Sequence, residues 1–295
     1  MEIKTILVVG AGFMGAGIAQ VGAQAGYEML LYDISADTVK KGIETARKNL
    51  SRNVEKGKLA QEDMDKTMAL IKPSSSLDDG AKADMVIEAV FENLEVKNEI
   101  FSKLDGICPP HCIFATNTSS IPITRLAASV KRTDKFIGMH FFSPVPVMRL
   151  VEIIPGLLTS EESYKLTDEV ALKMKKETVR SRDVPGFIVN RINAGLRQEV
   201  YRCLEEGVAS LEDIDKALKL GLNHPMGPFE LGDFVGIDVS WGVINTLYNA
   251  YKDPKWAPSL IMEKMVTSGN LGRKTGKGWY DYSSGEKKPR TDLNF

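Results

Sequence analysis

The chain has 295 residues, a length that favours two domains, each large enough to bury a core of its own. Hydrophobic residues make up 43% and charged residues 26% of the sequence, which excludes the disordered, collagen-like and membrane-embedded classes. The formal net charge is -1, so no global field attracts nucleic acid or an anionic membrane, and neither is an expected partner.

The cysteines and the amino-terminal segment both favour a cytoplasmic location. Cys108, Cys112 and Cys203 are too few for a disulfide framework, and their spacing does not match common zinc sites, so no metal is expected. The uncharged stretch 5–27 imitates a signal peptide, but it contains six glycines and only a short apolar run. We therefore predict that this stretch is folded and is not a leader.

Short apolar runs alternate with helical patterns through the first 155 residues. This alternation predicts βαβ units, and hence an α/β domain with a doubly wound, mostly parallel sheet. A helix at 161–176 is expected to close this domain, which we place at 1–183. The predicted strands are 3–9, 28–32, 85–90, 112–115, 136–139 and 150–154.

A smaller all-α domain is predicted at 184–282, followed by a polar tail at 283–295. Asp183 is expected to cap its first helix, with Pro185 in the first turn. Ser210 and Asp213 predict a capping box at the next helix. On the first helix, residues at helical spacing predict one buried apolar face and a neighbouring polar face. The apolar set is Val189, Ile192, Leu196, Val200 and Cys203, and the polar set is Asn190, Asn193 and Arg197.

The motif Gly10-Ala-Gly12-Phe13-Met14-Gly15 lies directly after the first predicted strand and before a helical pattern. Gly10 permits a tight turn, Gly12 lets the backbone approach a pyrophosphate, and Gly15 allows close packing of helix and strand. The start of the following helix would face the phosphates. This context predicts a dinucleotide site.

Asp33 ends the second predicted strand, near the position of the acid that hydrogen-bonds an adenosine ribose in Rossmann-like domains. A carboxylate there would also repel the 2'-phosphate of NADP(H). The prediction is therefore a Rossmann-like domain that binds NAD(H). Lys40 and Lys41 lie near enough in sequence to keep NADP(H) open.

The stretch 40–58 carries seven basic and two acidic residues. Lys48, Arg52 and Lys56 recur every four residues and so line one face of a predicted helix. Such a face could hold a phosphorylated handle, such as the 3'-phospho-ADP of coenzyme A. On the charge pattern alone, a solvated helix face is the better interpretation.

His140 is the candidate acid/base among three histidines, because it follows a predicted strand at the sheet edge where ligands bind. A hydrogen-bonded core histidine is the alternative. Glu152 lies in the apolar run 150–154, where a buried carboxylate needs a partner. His140 could be that partner, and the pair would fix the tautomer of the imidazole.

Two further polar groups are candidates for contact with a substrate or a cofactor. Asn117 and Ser119 follow the predicted strand 112–115 and should reach the same sheet edge, although turn capping would also explain them. Asn190 lies one turn into the first helix of the second domain and can donate its amide to a substrate oxygen. A hydrogen bond within the protein is an equal alternative for Asn190.

Five motifs, in this order, make the sequence resemble the L-3-hydroxyacyl-CoA dehydrogenase family, most closely its short-chain bacterial members. They are Gly10-x-Gly12-x-x-Gly15, Asn117-Thr-Ser-Ser120, His140-Phe-Phe-Ser-Pro-Val-Pro146, Pro185-Gly-Phe-Ile-Val-Asn-Arg191 and His224-Pro-Met-Gly-Pro228. The resemblance covers residues 3 to about 282. It implies a Rossmann-like domain and a helical domain that forms a homodimer, with the active site between the two domains.

The resemblance also implies roles for single residues. His140 would be the general base, Glu152 its orienting carboxylate, and Ser119 and Asn190 the contacts to the substrate oxygen. Cofactor contacts would be the turn 10–15 together with Asp33, Glu92, Lys97, Asn117 and Lys274. The contacts to coenzyme A are assigned to Arg52 and Lys56.

The implied reaction is the NAD(H)-dependent interconversion of acetoacetyl-CoA and (S)-3-hydroxybutyryl-CoA, in fatty acid or butyrate metabolism. One alternative is a hydroxyacid or sugar-acid dehydrogenase of the gulonate type, which would not need the basic helix. Another is a catalytically silent NAD-binding protein. The occupied positions His140, Glu152, Ser119 and Asn190 argue against the silent protein.

Overall fold

A computed structural model describes residues 2–293, which divide into two compact units at Phe187 and Ile188. The domain boundaries predicted from the sequence, 1–183 and 184–282, stay a prediction. Within residues 2–293, no helix combines the length and the apolar character that a membrane span requires.

The first unit is an eight-stranded sheet with helices on both faces. Its strand order is β3-β2-β1-β4-β5-β6-β7-β8, in which β1 to β6 are parallel and β7 runs antiparallel to β6. The strands are β1 (Thr5–Val9), β2 (Glu28–Tyr32), β3 (Ile71–Ser74), β4 (Met85–Glu88), β5 (Ile113–Thr116), β6 (Phe136–Phe141), β7 (Leu150–Pro155) and β8 (Glu177–Arg180). The helices are α1 (Phe13–Gln24), α2 (Ala36–Glu55), α3 (Gln61–Leu70), α4 (Leu94–Ile107), α5 (Ile123–Ala127) and α6 (Glu161–Lys173).

The central strands are apolar on both faces, because helices cover the sheet from both sides. In β1, Ile6 and Val8 belong to one core cluster, whereas Leu7 and Val9 belong to the cluster on the opposite face. This arrangement explains why the strands are continuous apolar runs in the sequence. The predicted α/β class with a doubly wound, mostly parallel sheet is confirmed.

Two edge strands were absent from the sequence prediction. β3 contains Lys72 and Pro73, and a proline is tolerated in a strand only where a ladder hydrogen bond is not needed. β8 is largely exposed and therefore lacks an apolar pattern. The helix predicted at 161–176 ends at Lys173, and the chain turns through Lys175, with φ 59°, into β8.

The second unit is helical throughout its regular structure, as predicted. Its helices are α7 (Val189–Glu205), α8 (Leu211–Gly221), α9 (Pro228–Val235), α10 (Ile237–Tyr251) and α11 (Leu260–Thr267). The Ser210 hydroxyl accepts the Asp213 amide (3.1 Å) and donates to the Asp213 carboxylate (2.8 Å), so the predicted cap of α8 is present. In the predicted polar tail, Arg290 donates to Asn270 and to the Gly278 carbonyl, and positions 294–295 lie outside the described residues.

The buried face of α7 differs from the predicted one. Ile192 is 68% exposed, whereas Arg197 and Gln198 are buried. Arg197 donates to the Ser240 hydroxyl and Gln198 donates to the Ala257 carbonyl. Of the predicted apolar set, Val200 lies in the core of the unit and Leu196 and Cys203 pack against it. Apolar periodicity missed the buried polar positions because these side chains find hydrogen-bond partners inside the unit.

The prediction that Asp183 caps the first helix of the second domain is wrong. Its carboxylate accepts the amides of Ile123 (2.7 Å) and Thr124 (2.8 Å), at the start of α5. A residue 59 positions away in sequence therefore satisfies the free amides of a short helix in the first unit.

Candidate active site

The glycine-rich turn between β1 and α1 has the geometry of a phosphate cradle. Gly10 has φ +104°, and a β-carbon there would lie 2.6 Å from the Ala89 carbonyl oxygen. A β-carbon on Gly15 would lie 1.7 Å from the Gly10 carbonyl oxygen, so both positions require glycine. Gly12 precedes α1 without a capping side chain, and outside its two chain neighbours no described residue has an atom within 4 Å of the position of its missing β-carbon. The amides at the start of α1 therefore fit an anionic group.

Asp33 lies beside this turn, directly after β2. Its carboxylate accepts the amides of Ala11 (2.9 Å) and Ser35 (3.2 Å) and so joins the turn to the next loop. Exposed apolar side chains follow the neighbouring strands at the same edge: Phe13 (61%), Ile34 (93%) and Phe91 (68%). Apolar surfaces beside a phosphate cradle and a carboxylate fit the rings, pyrophosphate and ribose of a dinucleotide.

The structure brings His140 and Glu152 together. They lie directly opposite each other in the antiparallel pair of β6 and β7, and Nδ1 of His140 is 2.7 Å from Oε2 of Glu152. Both side chains are buried, and the imidazole packs between the rings of Phe142 and Phe187. Because Nδ1 faces a carboxylate, it carries the proton of the neutral imidazole, which leaves Nε2 as the basic nitrogen.

Asn117 lies where β5 ends, next to β6. Its side-chain oxygen accepts the backbone amide of Phe141 (2.8 Å), and its backbone amide donates to the Glu88 carbonyl (2.8 Å). Asn117 thus connects the ends of β4, β5 and β6. It supports the end of the strand that carries His140.

Ser119 belongs to a polar segment that is attached to Glu92. One oxygen of Glu92 accepts the amides of Ser119 (2.9 Å) and Ser120 (3.0 Å) and the hydroxyl of Thr118 (2.6 Å). Burial acts to raise the pKa of Glu92, but the Lys97 ammonium and these hydrogen bonds outweigh it and lower the pKa. Glu92 therefore stays charged and holds the segment in place.

Lys97 is enclosed by acceptors. Its side chain is 1% exposed, and its ammonium lies 2.6 Å from Glu88 and 3.3 Å from Glu92. Sequence reasoning overlooked Glu88, a fully buried carboxylate at the end of β4. The sequence did contain an indication of this role. Glu88 ends an apolar run, as Glu152 lies within one, and a buried carboxylate needs a partner.

The proposed contacts to coenzyme A lie on α2. Arg52 and Lys56 are exposed at its carboxyl-terminal end. Near its amino-terminal half, α2 borders a cavity of about 1310 Å³ whose walls include Asp33, Lys40 and Ser74. The phosphate-handle role of this helix stays a prediction.

Two further predicted site residues lie in the second unit. Asn190 is the second residue of α7 and is partly exposed. Lys274 is paired with Asp238, with its ammonium 2.6 Å from each carboxylate oxygen.

Comparison with known protein families decides which class of dinucleotide enzyme this is. Residues 5–184 match the family model of the NAD binding domain of 3-hydroxyacyl-CoA dehydrogenase, and residues 186–282 match the model of its C-terminal domain. The chain belongs to the 3-hydroxyacyl-CoA dehydrogenase family. The predicted family, the enzyme class and the cofactor NAD(H) are confirmed.

Relatives of this dehydrogenase match it over nearly its whole length. A probable 3-hydroxybutyryl-CoA dehydrogenase of Bacillus subtilis is 46% identical over 282 residues, which is 96% of this chain and 98% of the relative. The human mitochondrial hydroxyacyl-coenzyme A dehydrogenase is 42% identical, with 95% and 91% covered. The crystal structure of (S)-3-hydroxybutyryl-CoA dehydrogenase from Ralstonia eutropha has a TM-score of 0.93 and 46% identity, with 95% and 99% covered.

Proposed function

We propose that this dehydrogenase interconverts acetoacetyl-CoA and (S)-3-hydroxybutyryl-CoA. The observation that carries the proposal is the buried His140–Glu152 hydrogen bond, at the sheet edge that also holds the glycine-rich turn. The short acyl chain is supported by relatives named 3-hydroxybutyryl-CoA dehydrogenase, at 44% and 46% identity over nearly the full chain.

NAD(H), when bound, supplies the hydride carrier for C3 of the substrate. In the oxidising direction, Nε2 of His140 takes the proton of the 3-hydroxyl group, and in the reducing direction it returns that proton. Glu152 accepts the Nδ1–H hydrogen bond, which orients the ring and stabilises the imidazolium that forms. Burial of the pair strengthens this interaction, because little water competes for the carboxylate.

Ser119 and Asn190 are the proposed hydrogen-bonding contacts to the substrate oxygen. For the cofactor, the proposed contacts are the turn 10–15 with Phe13 and Met14, and the side chains of Asp33, Glu92, Asn117 and Lys274. Lys97 would act on the cofactor only through Glu92, because its own side chain is enclosed.

A homodimer is also proposed. The second unit carries several exposed large apolar side chains that a partner surface would cover. They include Leu220 (76%), Leu222 (62%), Phe234 (53%) and Leu260 (68%).

The deciding experiment is the initial rate of NADH oxidation with acetoacetyl-CoA. Parallel reactions contain NADPH in place of NADH, or free acetoacetate in place of the thioester. We expect rapid oxidation of NADH with acetoacetyl-CoA and none with free acetoacetate, because relatives of this chain are named for a CoA thioester. Turnover of L-gulonate in the presence of NAD+, without activity on acetoacetyl-CoA, would overturn the proposal.

The CoA handle has a test of its own. Arg52→Glu combined with Lys56→Glu should raise the KM for acetoacetyl-CoA, more at low than at high salt, because surface charges are screened by ions. Lys165→Glu, on the exposed face of α6, is the matched control and should leave the KM unchanged. An equal KM in all three proteins would assign the basic helix to solvation.

A further inference from the structure

A continuous path of polar contacts joins Glu88 to Ser119. Oε1 of Glu88 accepts the ammonium of Lys97 at 2.6 Å. That ammonium lies 3.3 Å from Oε2 of Glu92, whose other oxygen accepts the amide of Ser119 at 2.9 Å. A fully buried residue at the end of β4 is thereby connected to the proposed contact with the substrate.

A second route runs from the other oxygen of Glu88. Oε2 accepts the hydroxyl of Thr116 at 2.6 Å, and the oxygen of that hydroxyl accepts the amide of Thr118 at 3.2 Å. Thr118 in turn donates its hydroxyl to Glu92 at 2.6 Å. Both oxygens of Glu88 therefore act on the segment 116–120, one through Thr116 and the other through Lys97 and Glu92.

Stability alone does not account for these charges. Glu88 is 0% and Lys97 is 1% exposed, and the desolvation cost of such a pair often equals or exceeds the attraction between the two charges. Replacing a buried ion pair by uncharged side chains is often neutral or stabilising, whereas removing one partner is costly. A role in placing other groups is therefore a better explanation of the pair than a gain in folding free energy.

Direct contact with substrate or cofactor does not explain them either. Glu88 and Lys97 have almost no exposed surface, while the Glu92 side chain is 34% exposed. Of the three charges, Glu92 is the one that reaches the surface of the unit. Its net interaction with Lys97 and with the segment keeps it ionised.

We propose that Glu88 is a positioning residue that acts through Lys97 and Glu92, and through Thr116, to hold Ser119 in place for the reaction. Lys97 is then part of this support. The proposal rests on the proposed function, because it takes Ser119 as a contact to the substrate oxygen. A displacement of that hydroxyl would slow the reaction more than it weakens the binding of NADH, since the glycine-rich turn and Asp33 are separate from the path.

The test removes both buried charges together, by Glu88→Gln with Lys97→Met, so that neither is left unpaired. We expect a melting temperature close to that of the wild type. With acetoacetyl-CoA, kcat should fall by about 10- to 100-fold, since a misplaced group of this kind costs up to roughly that factor. The KM for NADH should change less than kcat, because the glycine-rich turn and Asp33 lie outside the path and Glu92 is the one proposed cofactor contact that belongs to it.

The decisive readout is a double-mutant cycle with Ser119→Ala. If the path acts on Ser119, the paired charge removal should cost much less when the Ser119 hydroxyl is already absent. An equal cost in both backgrounds would overturn the positioning role. Glu99→Gln with Lys103→Met, an exposed pair at 2.6 Å on the same helix α4, is the matched control and should leave kcat unchanged.

Thr116→Val provides an independent variant if the paired change lowers the yield of folded protein. This change removes the hydrogen bond from the Thr116 hydroxyl to Glu88 and leaves every charge in place. We expect kcat to fall by a few-fold. The fall should be smaller when Ser119→Ala is also present. An unchanged kcat would overturn the proposal. A wild type without activity on acetoacetyl-CoA would overturn the proposed function and the inference together, whereas an active wild type with unaffected variants would overturn the inference alone.

Discussion

Both units bury carboxylates, but they hold them in different ways. In the first unit, the two fully buried carboxylates rely mainly on side chains: Glu152 contacts an imidazole, and Glu88 contacts an ammonium and a hydroxyl besides the amide of Val90. In the second unit, most of the partners are backbone amides. Asp233 accepts the amides of Trp279 (2.8 Å) and Tyr280 (2.9 Å).

Asp215 repeats the pattern of the second unit. It accepts the amides of Phe229 (2.8 Å) and Glu230 (3.1 Å) at the start of α9, and the hydroxyl of Tyr280 (2.7 Å). Burial raises the pKa of Asp233 to about 6, because it outweighs the hydrogen bonds that favour the charged form. These carboxylates fix the path of the chain between α8, α9 and the segment around residue 280.

The contrast separates two uses of a buried charge. A carboxylate held by side chains can orient a ring or a hydroxyl and share in a proton transfer, which is the work of a reaction site. A carboxylate held by backbone amides mainly determines which fold is stable. Changes at the first kind should therefore reduce turnover, and changes at the second kind should reduce stability.

His140→Ala should have the largest effect and would test the first half of this contrast. We expect kcat to fall by roughly 10²- to 10⁴-fold, because the acid/base group is removed. The melting temperature should fall as well, because Glu152 is buried and loses its imidazole partner, so kcat is compared at a temperature where both proteins are folded. Stopped-flow or steady-state NADH oxidation gives kcat, and near-normal turnover would remove His140 from the acid/base role.

Glu152→Gln keeps the shape of the side chain and removes its charge. We expect kcat to fall by about 10- to 100-fold, because the imidazolium loses its stabilising carboxylate. The affinity for NADH, measured by fluorescence titration, should stay within about twofold. A normal kcat with a lowered melting temperature would instead assign Glu152 to the folded structure alone.

Gly278→Ala addresses the second unit. A β-carbon at Gly278 would lie 2.0 Å from Oδ1 of Asp233, so the carboxylate must move away from its two amides. We expect a loss of about 1–3 kcal/mol in the free energy of unfolding, the usual cost of overpacking. Gly242→Ala, within α10, is the matched control, because apart from its chain neighbours and the backbone of its own helix no described atom lies within 4 Å of that position.

Tryptophan fluorescence during urea unfolding measures the free energy of unfolding of the second unit. All three tryptophans of the chain, Trp241, Trp256 and Trp279, lie in the second unit. A Gly278→Ala protein as stable as the Gly242→Ala protein would contradict the structural role of Asp233.

The pH dependence of stability should show the smallest effect. The pKa of Asp233 is about 6 in the folded protein, above the value of about 3.9 in an unfolded chain. The folded state therefore binds this proton more tightly, and its contribution to stability rises by about 1 kcal/mol as the pH falls from 7 to 5. The pKa of Glu230, lowered to about 2, acts in the opposite direction as the pH falls below about 5.

Urea unfolding at pH 7, 6 and 5, followed by tryptophan fluorescence, tests this prediction. Asp233→Asn should be less stable at every pH, because an amide cannot accept both backbone hydrogen bonds at once. The free energy of unfolding of this variant should not rise between pH 7 and pH 5. The same gain in wild type and variant would assign the pH dependence to another group.

Much of the first unit could be predicted because its signals are local. An apolar run that ends in Asp33 or His140 identifies both a buried strand and the sheet edge where its polar residue lies. The glycine-rich turn is equally local. The cost of a buried carboxylate also led from Glu152 to a nearby histidine.

What the sequence concealed depends on contacts between distant segments. Lys97 lies on α4, and nothing in its own helix indicates that its ammonium is enclosed between Glu88 and Glu92. Asp183 seemed to belong to the helix that follows it, yet it satisfies the amides of α5. From the sequence, Arg197 was expected on a polar face, but it is buried because it donates to Ser240, 43 positions away. Each outcome was decided by tertiary packing.

The register of β6 and β7 has a consequence for how this enzyme can diverge. His140 and Glu152 are 12 positions apart in sequence, but they meet because they are paired across the ladder. An insertion in the connection between the two strands can leave the pair intact if the ladder keeps its alignment. A slip by one residue would instead turn a strand's side chains to the opposite face and separate the partners. Descendants of this protein can therefore tolerate a change in the length of the connection more readily than a shift of one strand against the other.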